Sequence, residues 1–506
     1  MKLEHDICYR ALQSRDTRFD GQFFTGVRTT GIYCRPICPA PTPKPENCVF
    51  LPSAAAAQEA GFRPCLRCRP EISPKLTWTF EGGAVVNRAL RLIGEGILDE
   101  QSVEDLAGRV GVTERHLRRL FMEHLGASPS TVALTRRILF AKQLLDETSL
   151  PVTEVGLAAG FNSLRRFNEV ILKTYQRSPR ELRKEKTGES RENQPSLTTL
   201  KLPYSQPFNW PVMSTFMKGR ATAGVEEIGE NYYRRTIRLD GQHGLVEVRY
   251  VPGQSYLLAS IRFPKITALS QIVERLRRVF DLGTNSLEIE AHLSADPFLG
   301  RITRALPGLR VPGAWDKFEL AVRAILGQQV SVAAATTLAG RLVQKYGEPL
   351  TLDGFTAPPD GPRFVYPRPE VLAEADLTSI GIFGARARAI SALAGEVARN
   401  PALLDEEGSL EDTVKKLCEL PGIGRWTAHY IAMRALREPD AFPSSDLGLL
   451  RAMQPEKGLL TPAQLEKRAE SWRPWRAYAA LYLWASEMIP PETLAAVNDK
   501  TAIKEI

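Results

Sequence analysis

Four cysteines constrain this chain more than any other feature. Cys34 and Cys38 are separated by three residues, Cys65 and Cys68 by two, and 26 residues lie between the pairs. Two close pairs of thiols are the donor set of a tetrahedral zinc ion, so the segments around 34–38 and 65–68 are expected to meet at one point. All-cysteine sites of this kind are usually structural, which leaves a staple and a reactive centre both open on spacing alone. Seven cysteines, odd in number and partly clustered, suit a metal site in a reducing compartment better than a disulfide framework. Cys8 and Cys48, outside the pairs, read as small apolar residues.

A second constraint lies in the stretch LPGIGRWTAHYIAMRALREPDAFPSSD, Leu420 to Asp446. Pro421, Gly422 and Gly424 forbid a continuous helix and allow positive φ, so backbone amides can converge on an anion at the start of the next helix. Ala428, Ile431, Ala432, Ala435 and Leu436 then fall in a helical stripe, and Ile423 can plug the gap between the flanking helices. Ser444, Ser445 or Asp446 could cap a helix beginning at Leu447.

Between these two regions, SVEDLAGRVGVTERHLRRLF reads as helix, turn, helix, with Leu106, Ala107 and Val110 inward, Gly111 at the turn and Thr113 as a cap. A second copy follows in PVTEVGLAAGFNSLRRFNEVILKTYQRSP, after a long helix expected over about 131–146. Farther on, runs separated by Asp-Gly and Pro-Gly predict an antiparallel meander. Leu269, Ile272, Val273, Leu276, Val279 and Phe280 then form one amphipathic stripe, and KFELAVRAILGQQVSVAAATTLAGRLVQKYG forms one or two more helices.

At 506 residues the chain has length for three or four domains. Its net charge of +8 suits a polyanionic partner. The N-terminus lacks an apolar signal core and no run is long enough to span a membrane, so a cytoplasmic, nucleoid-associated protein is expected.

Three resemblances sharpen these readings. RTTGIYCRPIC and GFRPCLRCRP resemble the zinc domain of the Ada-type DNA alkylation-repair proteins. The resemblance implies that Cys34 accepts a methyl group from a methylated DNA phosphotriester in a single turnover, that methylation raises DNA affinity, and that Arg28, Arg35, Arg63, Arg67 and Arg69 contact phosphate. The paired helix-turn-helix, with Gly160-Phe161, Phe167, Tyr175 and Ser178-Pro179, resembles the AraC-type DNA-binding domain. Its two recognition helices would present Glu114, Arg115, His116, Arg118 and Arg119, and Asn162, Ser163, Arg165 and Arg166, to the major groove. From about Leu200, KFELAVRAILGQQVS, LPGIGRWTAHYIAMRAL and WRPWRAYAALYLW resemble the AlkA-type DNA glycosylases of the helix-hairpin-helix superfamily.

That third resemblance places the catalytic aspartate at Asp446, DNA contacts at Gly422, Ile423 and Gly424, and a base pocket at Trp426, Tyr430 and Trp484, joined by Phe208. Trp426 stands where backbone-cutting relatives carry a nucleophilic lysine, which implies a monofunctional enzyme excising alkylated purines such as 3-methyladenine. The family's apolar wedge falls on Gln329, and its aromatic after the aspartate falls on Leu447; both are departures. His429 is expected to face DNA or solvent. No Pro-Cys-His-Arg box is present, so direct repair of oxygen-alkylated guanine is not expected.

The expected fold is therefore multidomain, mainly α with small α+β parts. It comprises a zinc-binding methyl-acceptor domain (1–78), a double helix-turn-helix (79–185), a linker (186–199), an antiparallel sheet subdomain (200–290) and a helix-hairpin-helix glycosylase body (291–495). Zinc is the one cofactor expected, with no organic one. Expected partners are double-stranded DNA, as alkylated substrate and as promoter, and RNA polymerase, with no membrane. Two alternatives remain: a transcription regulator whose glycosylase-like half only binds DNA, and a glycosylase whose zinc domain is purely structural.

Overall fold

The computed structural model describes residues 4–74, 83–183, 197–352, 361–405, 408–453 and 460–487. It divides into two compact units, one formed by 1–205, 251–277 and 282–284, the other by 206–250, 278–281 and 285–506. Among the described residues, no helix is long and apolar enough to cross a membrane.

In the first unit a small four-stranded sheet orders Cys48–Leu51, Phe24–Val27, Ile32–Cys34 and Arg63–Pro64, with only the last pairing parallel. That parallel pair sets Ile32 beside Arg63 and Tyr33 beside Pro64. The next residue on each strand path is a cysteine, and Cys65 donates its N–H to the Tyr33 carbonyl at 3.0 Å, so strand pairing itself delivers Cys34 and Cys65 to one place. Gly26 allows a close approach here: a Cβ would lie 2.6 Å from the Phe62 ring, which would have to shift.

Both helix-turn-helix copies form as expected. Val103–Arg109 and Glu114–Leu125 flank Gly111 at φ +76°, and Val152–Ala158 and Leu164–Tyr175 flank Gly160 at φ +87°. Ser102, Thr113 and Ser163 accept backbone N–H groups at the helix starts. Leu106, Ala107 and Val110 are buried with Leu117 and Phe121. The long helix runs Pro129–Glu147, slightly beyond its expected span at each end. Two further helices, Ala84–Gly94 and Ile97–Glu100, complete this body. Asp99 from the second of them accepts from Arg137 at 2.7 Å, and its carbonyl takes the Asn162 side-chain N–H at 2.9 Å.

Residues 186–196 of the expected linker lie outside the described residues, and 197–199 open the strand Leu197–Pro203. That strand pairs antiparallel with Tyr256–Arg262 in the first unit, whereas Tyr232–Leu239 pairs with Glu226–Ile228 and with Gln242–Tyr250 in the second. The meander is therefore real. Its Asp240-Gly241 turn carries positive φ at both residues, the geometry a two-residue hairpin favours.

The second unit is mostly helical and has two cores. One gathers Lys317–Leu326, Val332–Tyr346, Gly384–Arg399 and Leu410–Cys418 around Ile423 and the apolar stripe of Arg425–Arg434. The other gathers Pro297–Ala305, Leu447–Ala452, Pro462–Ala469 and Arg476–Ser486. Ala428, Ile431, Ala432 and Leu436 are all essentially without solvent contact.

Candidate active site and metal centre

The turn after Leu410–Cys418 is where the chain first becomes unlike an ordinary helical bundle. Gly422 adopts φ +77°, and a Cβ there would sit 2.5 Å from the Ala389 methyl carbon, so only glycine allows this approach. Gly424 is extended at φ −90° and starts the helix Arg425–Arg434 without a side-chain cap. Positive φ thus falls on one of the two glycines. Ile423 is buried and plugs the junction as expected.

That helix projects Trp426 and Tyr430 one turn apart, with their rings stacked at 5.5 Å and 11°. Trp484, from Arg476–Ser486, meets Tyr430 at 6.3 Å and 59°. Between them stands Asp446. Its Oδ2 accepts the Trp426 indole N–H at 2.9 Å and its Oδ1 accepts that of Trp484 at 2.9 Å. Oδ1 also accepts the Leu449 N–H at 3.1 Å, so Asp446 does cap the helix Leu447–Ala452. Capping and side-chain placement are the same act: the cap fixes the carboxylate and two indoles orient it. Gly448 permits this, since a Cβ there would lie 3.0 Å from Oδ1 and 3.2 Å from Trp484.

Phe208 does not join this cluster. It stacks on Trp210 and Tyr250 instead, because it precedes the helix Trp210–Lys218 and turns toward the sheet. Phe216, near the far end of that helix, meets Trp484 at 6.3 Å and takes the expected place. Nothing in the pattern of WPVMSTFMK marks it out. Sequence reasoning also missed the cations behind the rings. Arg434 donates to the Tyr430 hydroxyl at 2.7 Å and lies 4.9 Å from the Phe216 ring centre, and Arg220 lies 3.8 Å from that same centre. Burial raises the Tyr430 phenol, but Arg434, Arg220 and Arg323 outweigh it and leave it below its ordinary value.

His429 differs from expectation. It is buried, its Nδ1 accepts the Phe442 N–H at 3.3 Å, and burial with Arg425 and Arg476 nearby pushes its pKa down to about 4. The helix is enclosed on this side too, which the apolar stripe alone did not reveal. Gln329 sits exposed at φ +55° in the turn between Lys317–Leu326 and Val332–Tyr346. Leu447, beside Asp446, is 65% exposed.

In the first unit, the Sγ atoms of Cys34, Cys38, Cys65 and Cys68 all lie within 4.8 Å of one another. The Cys38 and Cys65 sulfurs are 3.9 Å apart, close to the roughly 3.8 Å edge of a tetrahedron with zinc–sulfur bonds of about 2.3 Å. Donor set and spacing therefore fit zinc. Cys34 is the partly exposed member, the other three being buried. It borders a cleft of about 510 Å³ lined also by Thr29, Thr30, Arg63, Arg67 and Arg177.

Two of the expected phosphate contacts are otherwise engaged. Arg35 is buried: its Nε donates to Asp20 at 2.8 Å and its Nη1 to the Cys68 carbonyl at 3.1 Å, so it braces the metal loop. Arg69 pairs with Glu71, Asp146 and Glu147, joining the loop to the long helix. Arg28 and Arg67 are exposed, and Arg63 donates to Gln176 at 2.9 Å. On the recognition helices Arg115, Arg118, Arg119, Arg165 and Arg166 are exposed, and His116 is half-buried with Arg119 3.2 Å from its Nδ1. Ser163 is exposed and serves as the cap of its helix.

A glycine hairpin leading straight into the helix that carries Trp426 and Tyr430 defines a class, and family models agree with it. Residues 322–477 match the HhH-GPD superfamily base excision DNA repair protein model, and residues 199–316 the AlkA N-terminal domain. Residues 7–71 match the metal binding domain of Ada and 106–185 a helix-turn-helix domain. The molecule is a DNA-repair glycosylase joined to a zinc-binding, DNA-binding activator module. A Mycobacterium tuberculosis protein described as "Probable bifunctional transcriptional activator/DNA repair enzyme AlkA" is 41% identical over 489 residues, 96% of each chain. The DNA-3-methyladenine glycosylase 2 of Escherichia coli is 35% identical over 295 residues, 58% of this chain and 98% of that one. Among solved structures, 3-methyladenine DNA-glycosylase from Archaeoglobus fulgidus shares the fold of this half, with a TM-score of 0.50 at 21% identity over 57% of this chain and 98% of that one. The chain belongs to the family of AlkA-type bifunctional transcriptional activator and DNA repair enzymes.

Proposed function

We propose that the glycosylase half excises alkylated purines such as 3-methyladenine without cutting the backbone, and that the zinc domain is a single-turnover methyl acceptor that tunes transcription. The observation that carries the first reading is the carboxylate of Asp446, held by two indole N–H groups at the edge of an aromatic cluster. A base must leave the duplex to be removed. Alkylation of a ring nitrogen makes it cationic, which weakens the glycosidic bond and favours the faces of Trp426, Tyr430 and Trp484. As that bond breaks, Asp446 stabilises the positive charge growing on the sugar and orients the attacking water. Trp426, where a lysine would form a covalent link to the sugar, supplies no nucleophile.

For the second reading the supporting observation is Cys34, partly exposed toward a cleft edged with Arg63, Arg67 and Arg177. Zinc bound by the four sulfurs keeps Cys34 a thiolate at neutral pH. The Cys34 sulfur attacks the methyl carbon of a phosphotriester; a sulfur–carbon bond forms, the oxygen–carbon bond breaks, and its electron pair leaves on the phosphate as a phosphodiester anion. The ligand set loses one negative charge, repulsion from DNA falls, and the exposed arginines of the two recognition helices hold the promoter, from which RNA polymerase is recruited.

One experiment tests both readings. Incubated with duplex DNA carrying a radioactive methyl label, the protein is expected to take label onto itself and to release labelled purine. Cys34→Ala should abolish the first signal and Asp446→Asn the second. Free purine without labelled protein reduces the zinc domain to a staple; labelled protein without free purine leaves the C-terminal half a binding module.

A further inference from the structure

The two helix-turn-helix copies end alike in backbone and unlike in what they face. Each recognition helix stops at a residue in the left-handed region, and a Ser-Pro pair then starts the next helix. The sequence there is Leu125-Gly126-Ala127-Ser128-Pro129 in the first copy and Tyr175-Gln176-Arg177-Ser178-Pro179 in the second. In the first copy this turn packs against the zinc domain. Gly126, at φ +65°, stands so close that a Cβ would lie 3.1 Å from Ala56 and 3.2 Å from Pro52. Ser53 donates to the Leu125 carbonyl at 2.7 Å, and Ala127 is buried.

The second copy puts Gln176 at φ +55°, where glycine is the unstrained choice, and puts Arg177 where the first has a buried alanine; both are exposed. Local folding asks for neither residue. Their surroundings do. Gln176 accepts from Arg63 at 2.9 Å, which ties the turn to the strand Arg63–Pro64 that leads into Cys65. Tyr175 and Arg177 line the same cleft as Cys34. Its wall also carries two buried hydroxyls, Tyr175 Oη and Thr25 Oγ1, with no hydrogen-bond partner among the described residues. Thr25 stands directly opposite Cys34 in the strand register. Unpaired hydroxyls in the wall and a guanidinium at the rim suit a phosphate of the DNA backbone rather than an apolar ligand.

We propose that the second helix-turn-helix completes the methyl-acceptor site, with Arg177 as a positioning residue that holds the phosphotriester so that its methyl carbon faces Cys34. This rests on the methyl-acceptor reading above. A phosphotriester is uncharged, but as its oxygen–carbon bond breaks the electron pair passes to the phosphate oxygen, and the guanidinium stands ready for the charge that grows there. It also offsets the negative charge of a four-thiolate zinc site, which repels the neighbouring phosphates. The test mixes the full-length, zinc-loaded chain in excess with duplex DNA carrying radioactive methylphosphotriesters and follows label on the protein in a single turnover. Arg177→Ala, which installs the first copy's residue, should slow uptake by about tenfold, the low end for loss of one charged hydrogen bond. The deficit should persist at saturating protein, and Arg177→Lys should recover most of the rate. Iodomethane, which offers a methyl group without a phosphate, should alkylate Cys34 equally fast in wild type and variant. An unchanged rate on DNA, a deficit that vanishes at saturation, or equal slowing with iodomethane would overturn the assignment. A wild-type chain that takes up no label removes the acceptor reading and this proposal together, whereas uptake indifferent to Arg177 removes this proposal alone.

Discussion

His429 shows how one residue's surroundings decide its chemistry. Seen only as the neighbour of Tyr430, it looks like a surface histidine; enclosed against Phe442, with Arg425 and Arg476 nearby, its pKa falls from 6.5 to about 4. The unfolded chain therefore binds the proton more readily than the folded one. Stability is complete above pH 6.5 and declines as pH falls toward 4, by on the order of 3 kcal/mol from this residue. Chemical unfolding between pH 4 and 7 should show that slope, and His429→Asn, which keeps an acceptor for the Phe442 N–H, should flatten it. Asp446 makes the same point for legibility. Its helix-cap role and its position in the family motif were both readable from PSSDLG, but that two indoles, one 20 residues before it and one 38 residues after it, converge on its two oxygens was not, because Trp426 and Trp484 are joined only through tertiary packing.

At the scale of elements, local chemistry was decisive where a turn or cap sets the outcome. Gly111, Gly160 and the Asp240-Gly241 turn all take the positive φ that the sequence implied. Gly422 does as well, and Gly422→Ala should combine backbone strain with a clash at Ala389, destabilising the second unit by about 1–3 kcal/mol and weakening DNA binding at low salt; thermal unfolding and filter binding would check both. Where elements meet across long separations, sequence was silent. Strand Tyr232–Leu239 and helix Lys317–Leu326 are joined by the buried pair Arg235–Glu319 at 2.8 Å. Removing one partner strands the other charge, so Arg235→Ala should lose about 3–5 kcal/mol in urea unfolding. Periodicity identified both elements and could not have paired them. The swap of Phe208 for Phe216 has the same origin: Phe208, ahead of the helix Trp210–Lys218, turns toward the sheet, and Phe216, inside it, turns toward Trp484.

For the molecule as a whole, the zinc centre offers the clearest separation of functions. Its four ligands come from residues 34–68, and the aspartate and its aromatics from 216–484, in different units. Stripping the metal with a strong chelator should abolish methyl uptake by the protein while leaving purine excision within about twofold, because metal binding stabilises only the segment that supplies the ligands; parallel assays of label on protein and label in free purine would show it. The sequence by itself determined the zinc ligands, the paired helix-turn-helix, the glycine hairpin and the family, since each is written in residues close together in the chain, where spacing, turn chemistry and helical period act directly. Only the tertiary structure decided that Arg35 and Arg69 are internal braces, that His429 is enclosed, and that cations stand behind the aromatic cluster. Burial and charge environment are set by everything that packs around a side chain, and for these residues most of that comes from distant parts of the sequence.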